Sequence, residues 1–238
     1  MQVDILAIGA HPDDVELACA GTLIQHIRQG YSVGLCDLTR GELGTRGSAD
    51  LRDEESARSA EVMGASFREN LRMADGGFVN DTAHRRRIIE VIRYCRPRLV
   101  LANALSDRHP DHGRAAKLIA DACFYSGLRR IETERDGQPQ EAHRPAQLLH
   151  YIQDYYRVPD FVVDVTDAFA QKIECVKAFS SQFHDPDSDE PDTPLTGEGF
   201  FDFLKARAQD VGRPAGYDLG EGFERSRVFG VADLLSLA

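Results

Sequence analysis

The segment GAHPDDVE at 9–16 sets one imidazole and three carboxylates directly after the apolar run VDILAIGA at 3–10. A second cluster, DRHPDH at 107–112, follows the apolar run RLVLANA at 98–104. Histidine and carboxylate are the donor types of a divalent-cation site. His11 and Asp14 stand three residues apart across a helix start, so both can face one point. Pro12 suits that start, where its missing N–H would be unpaired anyway. His112 opens the helix after the second cluster. His11, Asp14 and His112 therefore form a three-donor set that leaves one coordination position for water. A closed structural zinc site wants four donors, usually rich in cysteine, and no Cys lies near either cluster. The set reads as catalytic. A cation there lowers the pKa of bound water to roughly 7 and polarises a carbonyl.

Hydrolysis also needs a base. Asp13, beside Asp14, is the carboxylate of the motif with no other assigned role, and is read as the general base that later protonates a leaving amine. His109, in its protonated form, can donate to a developing oxyanion. Asp111 can hold an imidazole in orientation. Arg40, Arg46 and Arg52 flank the Gly-rich stretch RGELGTRGSAD at 40–50, and Arg108 lies inside the second cluster. Arg52, Arg46 and Arg108 are read as contacts for a substrate bearing carboxylate or phosphate. Glu16 is read as complementing the helix dipole. His26, His84, His143 and His150 read as surface or core groups, and His184 as a loop residue.

These residues must be positioned by the elements around them. Apolar runs alternate with helix-period stretches. Strands are expected over 3–10, 31–39, 98–104, 148–153 and 161–166. Helices are expected over 15–30, 51–65 (capped by Asp50), 80–97, 112–127, 167–181 and 200–212. A closing element is expected over 227–237. The polar stretch 132–145 reads as an exposed loop, and the acidic, Pro-rich stretch 184–199 as a long loop, either a lid or merely solvated. Strand–helix alternation with short crossovers implies a Rossmann-like α/β fold: one domain over 1–238, with a mostly parallel sheet and helices on both faces. Ligands bind such sheets at the carboxyl ends of the strands. Both His-Asp clusters fall there, so they should share one edge. The first strand–turn–helix lacks GxGxxG, so no dinucleotide fingerprint is present.

Composition narrows the partners. The 238-residue chain has a formal net charge of −11, which disfavours nucleic acid and anionic membranes. No apolar stretch reaches the ~18–20 residues of a membrane span, and no signal peptide is read. The five Cys are scattered without a CxxC pair. They read as reduced thiols, which points to the cytoplasm.

AHPDDVE and HPDH together resemble the PIG-L/LmbE-like zinc N-deacetylases. TRGELGTRGSADLRDEESARSAEVMGA, SSQFHDPDSDEPDT, GFFDFLKARAQDVGRP and EGFERSRVFGVADLL extend the likeness across essentially the whole chain. The C-terminal stretches are most similar to the bacillithiol-forming branch, which removes acetate from N-acetylglucosaminyl malate. The resemblance implies zinc at His11, Asp14 and His112, with iron(II) or another divalent metal as alternatives in the cell. It implies Asp13 as base, His109 and Asp111 at the oxyanion and supporting positions, and Arg52 at the substrate. It implies a small N-acetyl sugar substrate with an anionic aglycone and a homohexamer. Some members place a late-loop Tyr near the oxyanion; PDTPLTG here has none. Other readings are an N-deacetylase of another N-acetyl sugar, a metal phosphoesterase, and a non-catalytic binding protein. The phosphoesterase is disfavoured because donors for only one metal are evident.

Overall fold

The first apolar run forms a strand without an exposed residue, β1 (Ile5–Gly9). A strand buried on both faces needs paired neighbours and helices above and below it. The computed structural model, which describes residues 1–183 and 189–237, supplies both. In chain order the elements are α1 (Asp14–Arg28), β2 (Val33–Thr39), α2 (Ala49–Met63), β3 (Phe67–Met73), α3 (Thr82–Cys95), β4 (Leu99–Ala102) and α4 (Pro110–Ser126). There follow β5 (Glu134–Arg135), β6 (Gln138–Pro139), β7 (Gln147–Tyr151), β8 (Phe161–Asp164), α5 (Phe169–Lys177), α6 (Phe200–Gly212) and β9 (Gly220–Arg225).

Seven strands form one sheet in the order β3-β2-β1-β4-β7-β9-β8. The pairs from β3 to β7 are parallel, and β9 runs antiparallel to both its neighbours. Alternation along β1 splits the core. Leu6 and Ile8 pack with apolar residues of α3 and α4 on one face. Ile5 and Ala7 pack with α1, α2 and α5 on the other. The expected α/β architecture, a mostly parallel sheet covered on both faces, is the observed one.

Several boundaries differ from the expectation, each for a physical reason. β3 reads FRENLRM and hides its strand character behind charged side chains, as an edge strand can. The cap of α2 is Ser48, whose Oγ accepts from the Leu51 N–H at 3.2 Å; Asp50 sits inside the first turn. The stretch at 132–145 holds a small hairpin, β5–β6, turned at Asp136 and Gly137, both with positive φ. The closing element is β9, not 227–237, where Val228 and Leu234 are exposed. Gly220 hides β9 from a propensity reading. A Cβ there would meet Val162 Cγ1 at 2.5 Å and Gly212 Cα at 2.7 Å, so only glycine lets α6 lie against this strand. His184 and the start of the acidic 184–199 loop lie outside the described residues.

Beneath the carboxyl edge, Arg68 on β3 reaches across β2. Its Nε and Nη2 each donate to the Asp37 carboxylate at 2.8 Å, and its Nη1 donates to Glu16 Oε1 at 2.5 Å. Glu16 also accepts from Ser59 Oγ at 2.9 Å. It is thus a buried ion-pair partner that ties α1 to α2 and β3, beyond any dipole role. Arg68→Leu would strand two buried carboxylates. It is expected to destabilise the protein by about 3–5 kcal/mol, read as a lowered urea midpoint; a change under about 1 kcal/mol would show that the triad is not needed.

Candidate active site

β1 and β4 are hydrogen-bonded neighbours and run parallel, so their following turns emerge side by side. Each turn leads into a helix that buries its acidic first-turn residues, Asp14 in α1 and Asp111 in α4. Asp13 takes φ 105°, a left-handed conformation that a non-glycine residue rarely holds without compensation. The compensation is local: Leu17 N donates to Asp13 O at 2.9 Å, and His11 N to Asp14 Oδ2 at 2.9 Å.

The Asp14 carboxylate lies between two imidazoles. Its Oδ1 is 3.1 Å from His112 Nε2, and its Oδ2 is 3.6 Å from His11 Nδ1. Asn103 Nδ2 donates to Oδ2 at 2.9 Å and Gln153 Nε2 to Oδ1 at 3.1 Å, which fixes the carboxylate plane. The outer nitrogen of each imidazole meets carboxylate as well. His112 Nδ1 is 2.5 Å from Asp107 Oδ2, while His11 Nε2 is 3.1 Å from Asp75 Oδ1 and 3.4 Å from Asp111 Oδ2. Carboxylate against the far nitrogen is how metal-ligating histidines are oriented. The nitrogens that face Asp14 and its carboxylate oxygens are donors of the types that suit a divalent metal. His109 lies beside them: ring nitrogens of His11, His109 and His112 lie within 4.8 Å of one another, as do donor atoms of His11, Asp75 and Asp111.

The electrostatics match a cation's place. Burial alone would lower the His11 pKa, but hydrogen bonds to Asp111, Asp14 and Asp75 carry it well above the usual value. Burial likewise opposes the charge on His112, and the neighbouring Asp14 and Asp107 still raise its pKa to about 9. Asp14 is held well below the carboxylate range, its burial outweighed by the two histidines. The carboxylates thus gather protons where a divalent ion would sit, and an arriving ion must displace them.

Asp13 behaves differently. Burial raises its pKa to about 6, against the pull of Arg52. Arg52 Nη2 stands 3.1 Å from Asp13 Oδ2 and also donates to the Pro12 carbonyl. His109 Nδ1 accepts the Asp111 N–H at 3.2 Å, which leaves its proton on Nε2. Burial and the neighbouring histidines lower its pKa. A neutral His109 can therefore donate from Nε2 without first being protonated, a revision of the expected imidazolium. His11, Asp13, Asp14, Arg52, His109 and His112 line one cavity of about 430 Å³.

The arginines divide. Arg52 and Arg108 line the cavity. Arg108 does so from a half-exposed position, paired with Asp154 at 2.7 Å. The structure does not bring Arg46 there. Its guanidinium is buried against backbone, donating to the carbonyls of Phe183, Pro191 and Glu190 at 3.1, 3.0 and 3.0 Å. Arg40 pairs with Asp50 and Asp53. Asn103, Gln153 and Asp75 carry no signal in the sequence, and Asp107 stands in the second cluster without an assigned role. Asp107 opens the second cluster, so its role is within reach of the motif; the other three stand alone in sequence and become visible only through contacts.

Comparison with known proteins bears on this constellation. A profile of the PIG-L family, GlcNAc-PI de-N-acetylase, matches residues 6–123, the stretch that carries both clusters. The diacetylchitobiose deacetylase of Thermococcus kodakarensis is 30% identical over 189 residues, 75% of this chain and 70% of that protein. The chain belongs to the PIG-L family. The crystal structure of a conserved protein of Thermus thermophilus is similar to this one, with TM-score 0.85 and 33% identity over 97% of this chain and 98% of that one. The 4-oxalmesaconate hydratase of Pseudomonas putida is 27% identical over 202 residues, 77% of this chain and 75% of that protein.

Two substitutions separate the parts of this PIG-L site. His112→Ala is expected to abolish stoichiometric zinc binding, and Asp107→Ala to weaken it roughly 10–100-fold, both by competition titration with a chelator. Zinc affinity that stays unchanged in Asp107→Ala would remove that carboxylate from the ligand's support.

Proposed function

We propose that the protein is a metal-dependent N-deacetylase that hydrolyses the acetamide of an N-acetylglucosaminyl substrate. The observation that carries this reading is the placing of two groups around the His11, Asp14 and His112 donors. A carboxyl with a pKa near 6, Asp13, adjoins the donor set in sequence, and an imidazole with its proton on Nε2, His109, packs beside both histidines, its ring centroid 4.6 Å from that of His11 and 5.2 Å from that of His112. Bound among the donors, zinc, or iron(II) in its stead, would lower the pKa of a water and polarise the acyl oxygen. Asp13 takes the proton of the attacking water, and Arg52 keeps its carboxylate in place. His109 Nε2–H donates to the oxygen that gains charge. Asp13 then returns the proton to the departing sugar amine, and acetate and amine leave.

The finer assignment is to N-acetylglucosaminyl malate, in bacillithiol biosynthesis. What supports it is the likeness of the C-terminal stretches to that branch and the cations on the cavity wall near the second cluster, Arg108 and Arg114. A single domain, a homohexamer and a cytoplasmic location belong to the same proposal. The five buried free cysteines accord with a reducing compartment.

The hydratase relative favours one second reading. The same base and cation could add water across a carbon–carbon double bond of an anionic substrate. Purified enzyme offered N-acetylglucosaminyl malate, N,N'-diacetylchitobiose and 4-oxalmesaconate separates the two. Acetate release that a chelator abolishes and zinc restores is expected; water addition to 4-oxalmesaconate without acetate release would replace the deacetylase by the hydratase. Asp13→Asn is expected to keep its metal and lower turnover by about 10²–10⁴-fold. Arg108→Ala is expected to raise KM for the malate glycoside roughly threefold to tenfold, with little change for plain N-acetylglucosamine. An equal change for both would exclude a carboxylate contact at Arg108.

A further inference from the structure

The cavity does not end at the donor set. The sheet order places the loops after β2 and β3 on one flank of the β1 and β4 turns, with β7 and β9 on the other. The first flank is polar, with Asp75 and Gly76 after β3 and Arg52 on α2. The second carries an apolar stretch beside Arg207, whose guanidinium is turned to the carbonyls of Asp154 and Tyr155 at 3.1 and 3.4 Å. Leu17 and Ala18 of α1, Ile152 after β7, and Leu204, Ala208 and Val211 of α6 wall a chamber continuous with the histidines.

The inner end of this chamber holds charge that is already matched. Lys172 Nζ donates to Glu221 Oε1 at 2.6 Å. The same carboxylate accepts the backbone N–H groups of Gly21 and Thr22 at 3.0 and 2.7 Å. Those N–H groups are available because α1 breaks at Cys19, where φ is −141°, so Glu221 caps the second half of the helix. Along α1 the lining runs from Asp14 to Ala18, a rise of about 6 Å, and continues to Glu221. The methyl of an acetyl group fills little of that length.

We propose that the apolar chamber receives the acyl chain of the scissile amide, so that the enzyme cleaves N-acyl sugars with chains longer than acetyl. The sugar then faces the polar flank. This rests on the amide-hydrolase reading and extends it to a substrate class. The bond changes are those of any amide hydrolysis: the water oxygen bonds to the acyl carbon, the C–N bond breaks, the amine gains the proton held by Asp13, and the carboxylate departs. Chain length enters only through burial, on the order of fourfold in affinity per fully buried methylene.

The test uses N-acetyl-, N-butyryl- and N-hexanoylglucosamine, together with hexyl N-acetylglucosaminide, on the zinc-loaded enzyme and its Ala208→Trp and Leu204→Phe variants. The hexanoyl amide is expected to show a kcat/KM at least equal to that of the acetyl amide. In the variants the hexanoyl-to-acetyl ratio is expected to fall tenfold or more. Rejection of the hexanoyl amide by the wild type, or an unaltered ratio in both variants, overturns the proposal. So does a gain confined to the hexyl glycoside, which would place the aglycone in the chamber. Calorimetric binding of N-hexanoylglucosamine keeps the two readings apart. Should no amide be turned over, binding by the wild type that Ala208→Trp abolishes upholds the chamber while the hydrolase reading fails. Absence of binding removes the chamber as well.

Discussion

One carboxylate fastens the carboxyl edge of this sheet. Asp14 closes hydrogen bonds from Asn103 at the end of β4 and from Gln153 after β7, while each of its oxygens faces an imidazole. Three adjacent parallel strands therefore converge on a single buried anion. Such an anion is tolerated only when its lone pairs are filled and opposing charge is near. The two histidines supply that charge as imidazolium, or yield to a metal that does so. The site and the stability of this edge are thus one electrostatic arrangement.

The surroundings repeat this logic at greater depth. Arg68 joins Asp37 and Glu16 under the site, and Lys172 joins Glu221 beside the chamber. Each cluster links elements distant in sequence and sets a cation against buried carboxylate, one for one at Lys172 and one for two at Arg68. Against that background Asp13 is the exception. It sits in a strained turn, and burial favours its proton more than Arg52 favours its charge. A group with its pKa near neutrality inside a set of firmly ionised partners is the kind that exchanges protons during turnover.

Much of this was legible in the sequence, and the remainder was not, for identifiable reasons. The two His-Asp motifs follow apolar runs, and parallel topology forces such turns to one edge, so His11, Asp13, Asp14, His109 and His112 announce themselves. α6 was legible from its amphipathic spacing. β3 was obscured by polar residues on an edge strand, and β9 by glycines required for helix contact. The Arg-rich loop misled most. Proximity in sequence to the site edge says nothing about where a long side chain points, and Arg46 turns away to bind backbone while Arg52 turns inward. Asn103, Gln153 and Asp75 carry no motif, because a supporting hydrogen bond imposes a position in space and almost no pattern along the chain.

The contacts of Arg46 bear on how this protein can diverge. Its guanidinium grips the main-chain oxygens of Phe183, Glu190 and Pro191, atoms present whatever the side chain. Leu195, a few positions on, reaches the cavity wall from the same tether. The tether is thus indifferent to side-chain identity at its three anchors, while the wall it carries at Leu195 is not.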